Sequence, residues 1–511
     1  MLVGLRGRPL GRAAGWTYAV AWLGLGLWLL YYLGVYCGFA YSILRFPFDF
    51  DQGEGYDVNS AWALVQGLPI YGSPDVYPFY SSNYPPLYTL LLTPAVALLG
   101  PRLSMGRLLS LAATAAVALL IGWVVRRHTK RWLPALAAGL LFLASPYVYH
   151  TTALARVNAL TLALALAGVV ACERAGEGTG RPRAWTVATG ALLLAALYTK
   201  QTAIDAAAAA CLFLALRDRS RGLALAAGLL GAGTALYLAI DLATAGGFTL
   251  NLVWANANPF TLAQALTYYG NFVETHLLLL AGAAGFVVAS LRRGGWRGLP
   301  VYAWYFLFGL LTAAGTGKWG AGESYFLPAI ASTCLLCGLG LGRLEVALSR
   351  LRPASALAVT LALALAGGWQ LLLLWHGPLA FPQWGAYDRG PQAGTLSAAP
   401  TAADTAAAWG LVDKYIRKTT GNVLVEESAF LLVDGRRVLG NATQQRNLYE
   451  AGRHDPAALV GLLERREIAL VILNGQQYPA PVLRAIGRNY YAIDTVEVRG
   501  SHFLILIPGG R

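Results

Sequence analysis

Hydrophobic stretches close to the length of a bilayer crossing recur through the first three quarters of the chain, and polar residues collect in short segments between them. A helix crosses the hydrocarbon core with about 20 apolar residues, because all its backbone polar groups must be satisfied within the segment. On this pattern, helical spans are predicted at 15–41, 104–125, 132–146, 157–172, 185–199, 203–216, 223–245, 276–291, 300–316, 326–342 and 354–375. Several fall short of that length and must extend by a turn at either end. Leu87–Leu99 is apolar as well, but it is short and follows Pro85-Pro86. It reads as a helix lying in or dipping into the outer leaflet.

After Trp375 the pattern changes. Residues 376–403 are rich in Pro, Gly and Ala and read as a linker. From 404 to 511 the texture is that of a soluble domain. A helical pattern in Thr405–Thr419 is followed by a strand-like Asn422–Glu427. Asp455 then caps a helix running to Arg466, before the buried-strand run Ile468–Leu473 and a closing strand pair, Tyr491–Arg499 and His502–Ile507. The expected organisation is an α-helical polytopic membrane domain (1–375) with an acidic first outer loop (45–86), and a small α/β domain (404–511). With eleven spans the α/β domain lies across the membrane from the N-terminus.

Composition supports this reading. The chain is 57% hydrophobic and 13% charged, with a mean hydropathy of +0.51. Soluble domains carry about 25% charged residues, so disorder is excluded and a purely soluble enzyme is disfavoured. The net charge of +14 would suggest a nucleic-acid partner in a soluble chain. Here nineteen of the 39 basic residues fall in the alternate loops, from Arg6, Arg8 and Arg12 through Arg126 and Arg127 to Arg350 and Arg352. Six lie at the other ends and loops of the membrane domain: Arg45, Arg102, Arg107, Arg156, Lys200 and Lys318. That bias is the positive-inside signature. It puts the N-terminus in the cytoplasm and the C-terminal domain outside the cytoplasmic (inner) membrane, and it removes nucleic acid as a partner. The apolar run Trp16–Tyr41 is too long for a signal-peptide core and reads as an uncleaved anchor. All five cysteines fall inside proposed spans, so no disulfide framework is implied.

With so few charges on the outer side, those present are the candidates for chemistry. Loop 45–86 carries four carboxylates within nine residues, Asp49, Asp51, Glu54 and Asp57, interleaved with Phe46, Phe48 and Phe50. Gly53 and Gly55 among them allow close backbone approach. His150 and Arg156 precede the fourth span, Lys200-Gln201-Thr202 joins the fifth and sixth, and Lys318 lies among glycines before the tenth. An ammonium group suits phosphate as a compact charge. A carboxylate facing cations at the outer leaflet fits one reaction well. The carboxylate deprotonates a hydroxyl for attack on an anomeric carbon, while the cations hold a departing lipid phosphate.

The run Asp49-Phe-Asp51-Gln-Gly-Glu54-Gly-Tyr56, with Gln66-Gly-Leu-Pro-Ile-Tyr71 and Tyr84-Pro-Pro-Leu-Tyr88, resembles the first outer loop of GT-C-fold membrane glycosyltransferases. Within them it is most similar to the bacterial branch related to protein O-mannosyltransferases and the lipid A aminoarabinose transferase. Ala155-Arg156-Val-Asn158, Lys200-Gln-Thr202 and Lys318 through Tyr325-Phe-Leu-Pro328 resemble that group's later outer motifs. The resemblance implies a polyprenyl-phosphate-sugar-dependent, inverting transferase. In it Asp51, or else Glu54, is the base and Asp49 completes a DxD. Lys318, Arg156 and Lys200 bind the donor phosphate, and His150, Tyr325, Tyr84 and Gln201 contact substrate. The acceptor is a glycan, glycolipid or protein. No cofactor is fixed by the resemblance. Some GT-C enzymes bind a divalent cation, Mg or Mn, which here would involve Asp49 and Asp51, and others bind none. Asn158 stands where relatives often carry Asp, which argues against an acid there. Two other classes stay open: a transporter or flippase of a lipid-linked or small anionic substrate, and a non-catalytic polyprenyl-phosphate-binding assembly factor. A transporter would place functional charges near the bilayer midplane, whereas Asp205 and Asp241, the carboxylates within the predicted spans, both sit within about two turns of an outer end.

Overall fold

The computed structural model describes residues 9–178, 181–376 and 399–509; Arg6, Arg8 and residues 377–398 of the expected linker lie outside the described residues. The first part of the chain is helical. Its helices are α1 (Pro9–Arg45), α2 (Gly53–Val65), α3 (Leu87–Leu99), α4 (Leu103–Thr129), α5 (Trp132–Ala144), α6 (Pro146–Thr152), α7 (Val157–Gly176) and α8 (Pro182–Leu197). They continue as α9 (Ile204–Arg217), α10 (Arg219–Ala243), α11 (Gly247–Leu252), α12 (Leu262–Gly294), α13 (Val301–Thr312), α14 (Leu327–Leu348) and α15 (Pro353–His376). An apolar helix stands at each of the eleven predicted spans. Seven of them, α1, α4, α7, α10, α12, α14 and α15, are long and apolar enough to cross a bilayer individually. An eighth is added if α5 and α6, which meet at 64°, count as one. The others end early for a structural reason: α8 stops before Lys200, and α13 passes into a 3₁₀ turn at Ala313–Gly317. Both breaks line the central cavity, where irregular backbone can be satisfied within a bilayer.

The bundle packs through a core drawn from α4, α5, α7, α9, α13 and α14, including Val117, Phe142, Val169, Phe213, Tyr305 and Leu335. Leu119, Val187, Leu230, Leu242 and Leu365 face outward and are exposed, as lipid-facing side chains should be.

Where the sequence suggested an acidic loop, residues 53–65 form α2, with nine of 13 residues buried. Polar and apolar residues of α2 are buried alike, so it has no single apolar stripe to betray it in sequence. Its Tyr56, Val58 and Ala61 join Phe46 and Phe48, Leu92 of α3 and Leu160 of α7 in a core that continues into the C-terminal domain through Leu411, Val425, Phe430 and Ile505.

That domain comprises α16 (Ala402–Leu411), β1 (Asn422–Val425), α17 (Ala429–Leu432), α18 (Ala442–Glu450), α19 (Ala457–Glu464), β2 (Ile468–Leu473), α20 (Ala480–Asn489), β3 (Tyr490–Val498) and β4 (Ser501–Pro508). The strands stand where the sequence suggests them. The sheet order is β1-β2-β4-β3, with β1 and β2 parallel and the remaining pairs antiparallel. Leu424, Val471, Leu459, Leu463, Val482 and Ile486 fill the second face of the sheet against α19 and α20.

Candidate active site

A cavity of about 820 Å³ opens where the helical bundle meets the C-terminal domain. It is lined by Asp51, Tyr84, His150, Arg156, Lys200, Gln201, Lys318 and Tyr325, so eight of the ten residues nominated from sequence share one chamber.

Arg156 is the organising cation. It sits at the N-terminal boundary of α7, so its backbone is fixed by the helix while its guanidinium reaches back toward α2. Nη1 lies 3.3 Å from Asp51 Oδ2, Nε lies 3.3 Å from Asp57 Oδ2, and Nη2 donates to the Tyr84 hydroxyl at 3.1 Å. Gly53 makes room for it, since a side chain there would overlap the guanidinium. Burial works against the Arg156 charge, but Asp51, Tyr84 and Asp57 together hold its pKa well above the ordinary value. Burial pushes Asp57 the other way for a carboxyl, up to about 7, against the opposing pull of Arg156.

Lys200 occupies the break between α8 and α9. Its Nζ donates to Asn158 Oδ1 at 2.8 Å and stands 4.8 Å from the Tyr325 ring centroid. Burial, followed by the nearby Arg156 charge, lowers Lys200 to about 7. Asn158 thus positions a cation. Lys318 is exposed to the cavity from a backbone bridge with Phe260. His150 Nδ1 makes a close hydrogen bond with Glu323 Oε1, and both residues line the chamber.

Glu54 and Asp49 do not line the cavity, which removes the geometric basis for a direct role in transfer. Glu54 is fully buried. Its Oε1 and Oε2 accept from Arg107 Nε and Nη2, each at 2.8 Å, and further from the amides of Ala155 (2.7 Å) and Phe50 (2.9 Å). Burial disfavours its charge, yet Arg107 and these donors bring its pKa below the ordinary value. Arg107 also ties down the carbonyls of Ile43, Phe46 and Phe48, so the pair staples the end of α1 to α2. Asp49 accepts from the amides of Gly55 (2.6 Å) and Ala429 (2.9 Å), joining the first outer segment to the C-terminal domain. Both its oxygens are thereby engaged, and Asp51 faces a guanidinium. The pair does not present the converging oxygen donors a divalent cation requires. Among the described residues no group of three or more His, Cys, Asp and Glu side chains converges as a metal site.

Three contributions escaped sequence reading. Asp57 belongs to the acidic run, but the resemblance gives it no role of its own. Glu323 was visible only as a neighbour of Lys318. The third is a wall supplied by the C-terminal domain, including Glu427, Asn441, Asn447 and Asn474. Burial pushes Glu427 up to about 8, although it accepts from Asn474 Nδ2 at 2.8 Å. The two carboxylates within the spans predicted from sequence have local work: Asp205 accepts from the Ala206 amide and the Thr312 hydroxyl, and Asp241 from the Thr249 amide.

Comparison with known proteins bears on the fold. The family described as dolichyl-phosphate-mannose-protein mannosyltransferase matches residues 83–244. Among solved structures, the chain is similar to ArnT from Cupriavidus metallidurans bound to undecaprenyl phosphate, with a TM-score of 0.58 and 13% identity over 94% of this chain and 98% of that one. The fold is GT-C. The apo form of that ArnT gives a TM-score of 0.57 at 15% identity, covering 94% and 97% of the two chains. An oligosaccharyltransferase from Archaeoglobus fulgidus gives 0.54 at 13% identity, covering 90% and 73%. No curated protein matches the chain in sequence.

Proposed function

We propose that the protein is an inverting glycosyltransferase that moves a sugar from a polyprenyl-phosphate donor to a hydroxyl acceptor at the outer face of the cytoplasmic membrane, with its N-terminus in the cytoplasm. The observation that carries this reading is the meeting of Asp51 with Arg156 and Lys200 in one chamber between the bundle and the C-terminal domain. The likeness to a solved ArnT structure bound to undecaprenyl phosphate supports a lipid phosphate as the donor's anchor.

In this reading the donor phosphate lies against Arg156, Lys200 and Lys318. Asp51 takes the proton of the acceptor hydroxyl, whose oxygen attacks the anomeric carbon. The bond from that carbon to the phosphate oxygen breaks, and polyprenyl phosphate leaves with the electron pair. The cations stabilise the charge as it develops, which is where fixed electrostatics are most effective. Arg156 spans the two functions by orienting Asp51 while facing the phosphate. Tyr84 and Asp57 hold the guanidinium, Asn158 holds Lys200, and His150, Tyr325 and Gln201 are placed to contact the sugar. The three cations balance the phosphate charge in this scheme, and no step runs through a metal.

The test is purified Asp51→Asn protein with a synthetic short-chain polyprenyl-phosphate hexose, following release of polyprenyl phosphate by mass spectrometry. General-base removal should lower turnover by about 10²–10⁴-fold with the unfolding temperature unchanged. Turnover near wild type would reject Asp51 as the base. A bound polyprenyl phosphate copurifying with the protein would independently support the donor, and its loss in Arg156→Ala would support the clamp.

A further inference from the structure

The chamber is divided by charge. Arg156, Lys200 and Lys318 all come from the membrane domain, and the lining residues from the C-terminal domain include no Lys or Arg. That domain presents Asn441, Thr443, Gln444, Asn447, Asn474 and Gln477, with Glu427 as the acidic side chain among them. These residues are held in place. Asn441 caps α18 by accepting from the Gln444 amide at 3.2 Å, and Asn447 donates to the Ala255 carbonyl at 3.1 Å. The loop carrying Asn474 and Gln477 is drawn in by Glu426, whose Oε2 accepts from the amides of Asn474 (2.6 Å), Gly475 (2.7 Å) and Gln476 (3.2 Å). Gln444 is 2% exposed. Its Nε2 donates to Asn251 at 2.7 Å, and its Oε1 has no partner among the described residues. A buried acceptor left without a donor is unfavourable, and a ligand hydroxyl would relieve it.

We infer that this wall is the acceptor subsite and that it takes a neutral, hydroxyl-rich carbohydrate. The inference rests on the transferase reading given above. An amide side chain sets a donor beside an acceptor, and a sugar hydroxyl is both at one atom, so a row of Asn and Gln matches a run of ring hydroxyls. A phosphorylated or carboxylated acceptor would meet Glu427 and no cation on this wall, and a charge taken from water without a partner is heavily penalised. A peptide offers the wall a single reacting hydroxyl, where a glycan offers several.

The experiment uses the full-length protein in nanodiscs with the synthetic hexose donor and three acceptors: a neutral oligosaccharide, the same oligosaccharide carrying one phosphate, and a Ser/Thr peptide. Transfer to the neutral oligosaccharide with at least about tenfold higher kcat/KM than to either of the others is expected, the scale of one or two lost hydrogen bonds. Thr443→Ala and Gln477→Ala should raise KM for that acceptor more than KM for the donor. Gln477→Lys should shift preference toward the phosphorylated acceptor. Preference for the phosphorylated glycan or the peptide, with donor turnover intact, overturns the inference and leaves the transferase reading standing. Absence of donor turnover with every acceptor and with water overturns both.

Discussion

Asp51 and Glu54 lie three residues apart and carry the same functional group, yet different partners separate their roles. The partners, Arg156 and Arg107, reach them from distant parts of the chain, which is why the sequence left the choice of base open. Glu54→Gln leaves the fully buried Arg107 guanidinium without its counter-charge, and breaking such a pair costs about 3–5 kcal/mol. That variant should therefore show a clearly lowered unfolding temperature, whereas Asp51→Asn should keep the wild-type value and lose turnover. Equal unfolding temperatures for the two would contradict the division. A second prediction concerns pH. Lys200, lowered to about 7, is charged below that pH and neutral above it; Asp57, raised to about 7, is neutral below and anionic above. Raising the pH thus removes a positive charge and adds a negative one beside the phosphate subsite. Affinity for polyprenyl phosphate should fall between about pH 6 and pH 8, and Lys200→Arg should flatten that fall because guanidinium stays protonated. Binding that strengthens over the same range would refute the assignment.

At the scale of elements, α2 shows what the sequence could and could not disclose. The long spans were legible because apolar runs in lipid leave few alternatives, and the strands β1 to β4 because each is a short β-branched or aromatic run between turn residues. Helix α2 was hidden by burial on most sides, and α18 by a largely polar sequence. Asn441, Asn447 and Asn474 resembled ordinary surface residues until the domain was seen to close the chamber. The two glycines of α2 now acquire separate tasks. A Cβ at Gly53 would meet only the movable end of Arg156, whereas at Gly55 it would press on Ser428 Oγ and come within 2.8 Å of the Ala429 amide nitrogen. Gly53→Ala should consequently lower turnover by about tenfold or more by displacing the guanidinium, with little change in unfolding temperature, since the backbone there need not move. Gly55→Ala should destabilise the protein by forcing α2 from the C-terminal domain. Thermal melts and turnover measured side by side distinguish the two outcomes, and a reversed pattern would refute this account of α2.

At the scale of the molecule, the C-terminal domain behaves as the second wall of the chamber rather than as an appendage. Phe46, Phe48 and Tyr56 share one core with Leu411, Val425, Phe430 and Ile505, and Tyr56 and Gln52 both donate to the Glu426 carbonyl, at 2.8 and 3.2 Å. Asp49 reaches the Ala429 amide, and His454 pairs with Asp75 at 2.5 Å on another edge of the contact. An interface that combines an apolar core with buried hydrogen bonds does not depend on the covalent connection for its geometry, since burial of each large side chain contributes about 1.5–3 kcal/mol. A protease site introduced within residues 377–398 should therefore, after cleavage, leave two fragments that copurify in mild detergent and retain donor turnover. Replacing Phe430 with Asp in the same protein would bury an unpaired charge in that shared core and should release the C-terminal fragment on cleavage. Turnover should be lost together with it, because the chamber would then lack the wall bearing Glu427 and Asn474. If the cleaved wild-type fragments separated while donor turnover persisted in the membrane fragment alone, the chamber would be complete without the second domain, and the two-walled site would have to be abandoned.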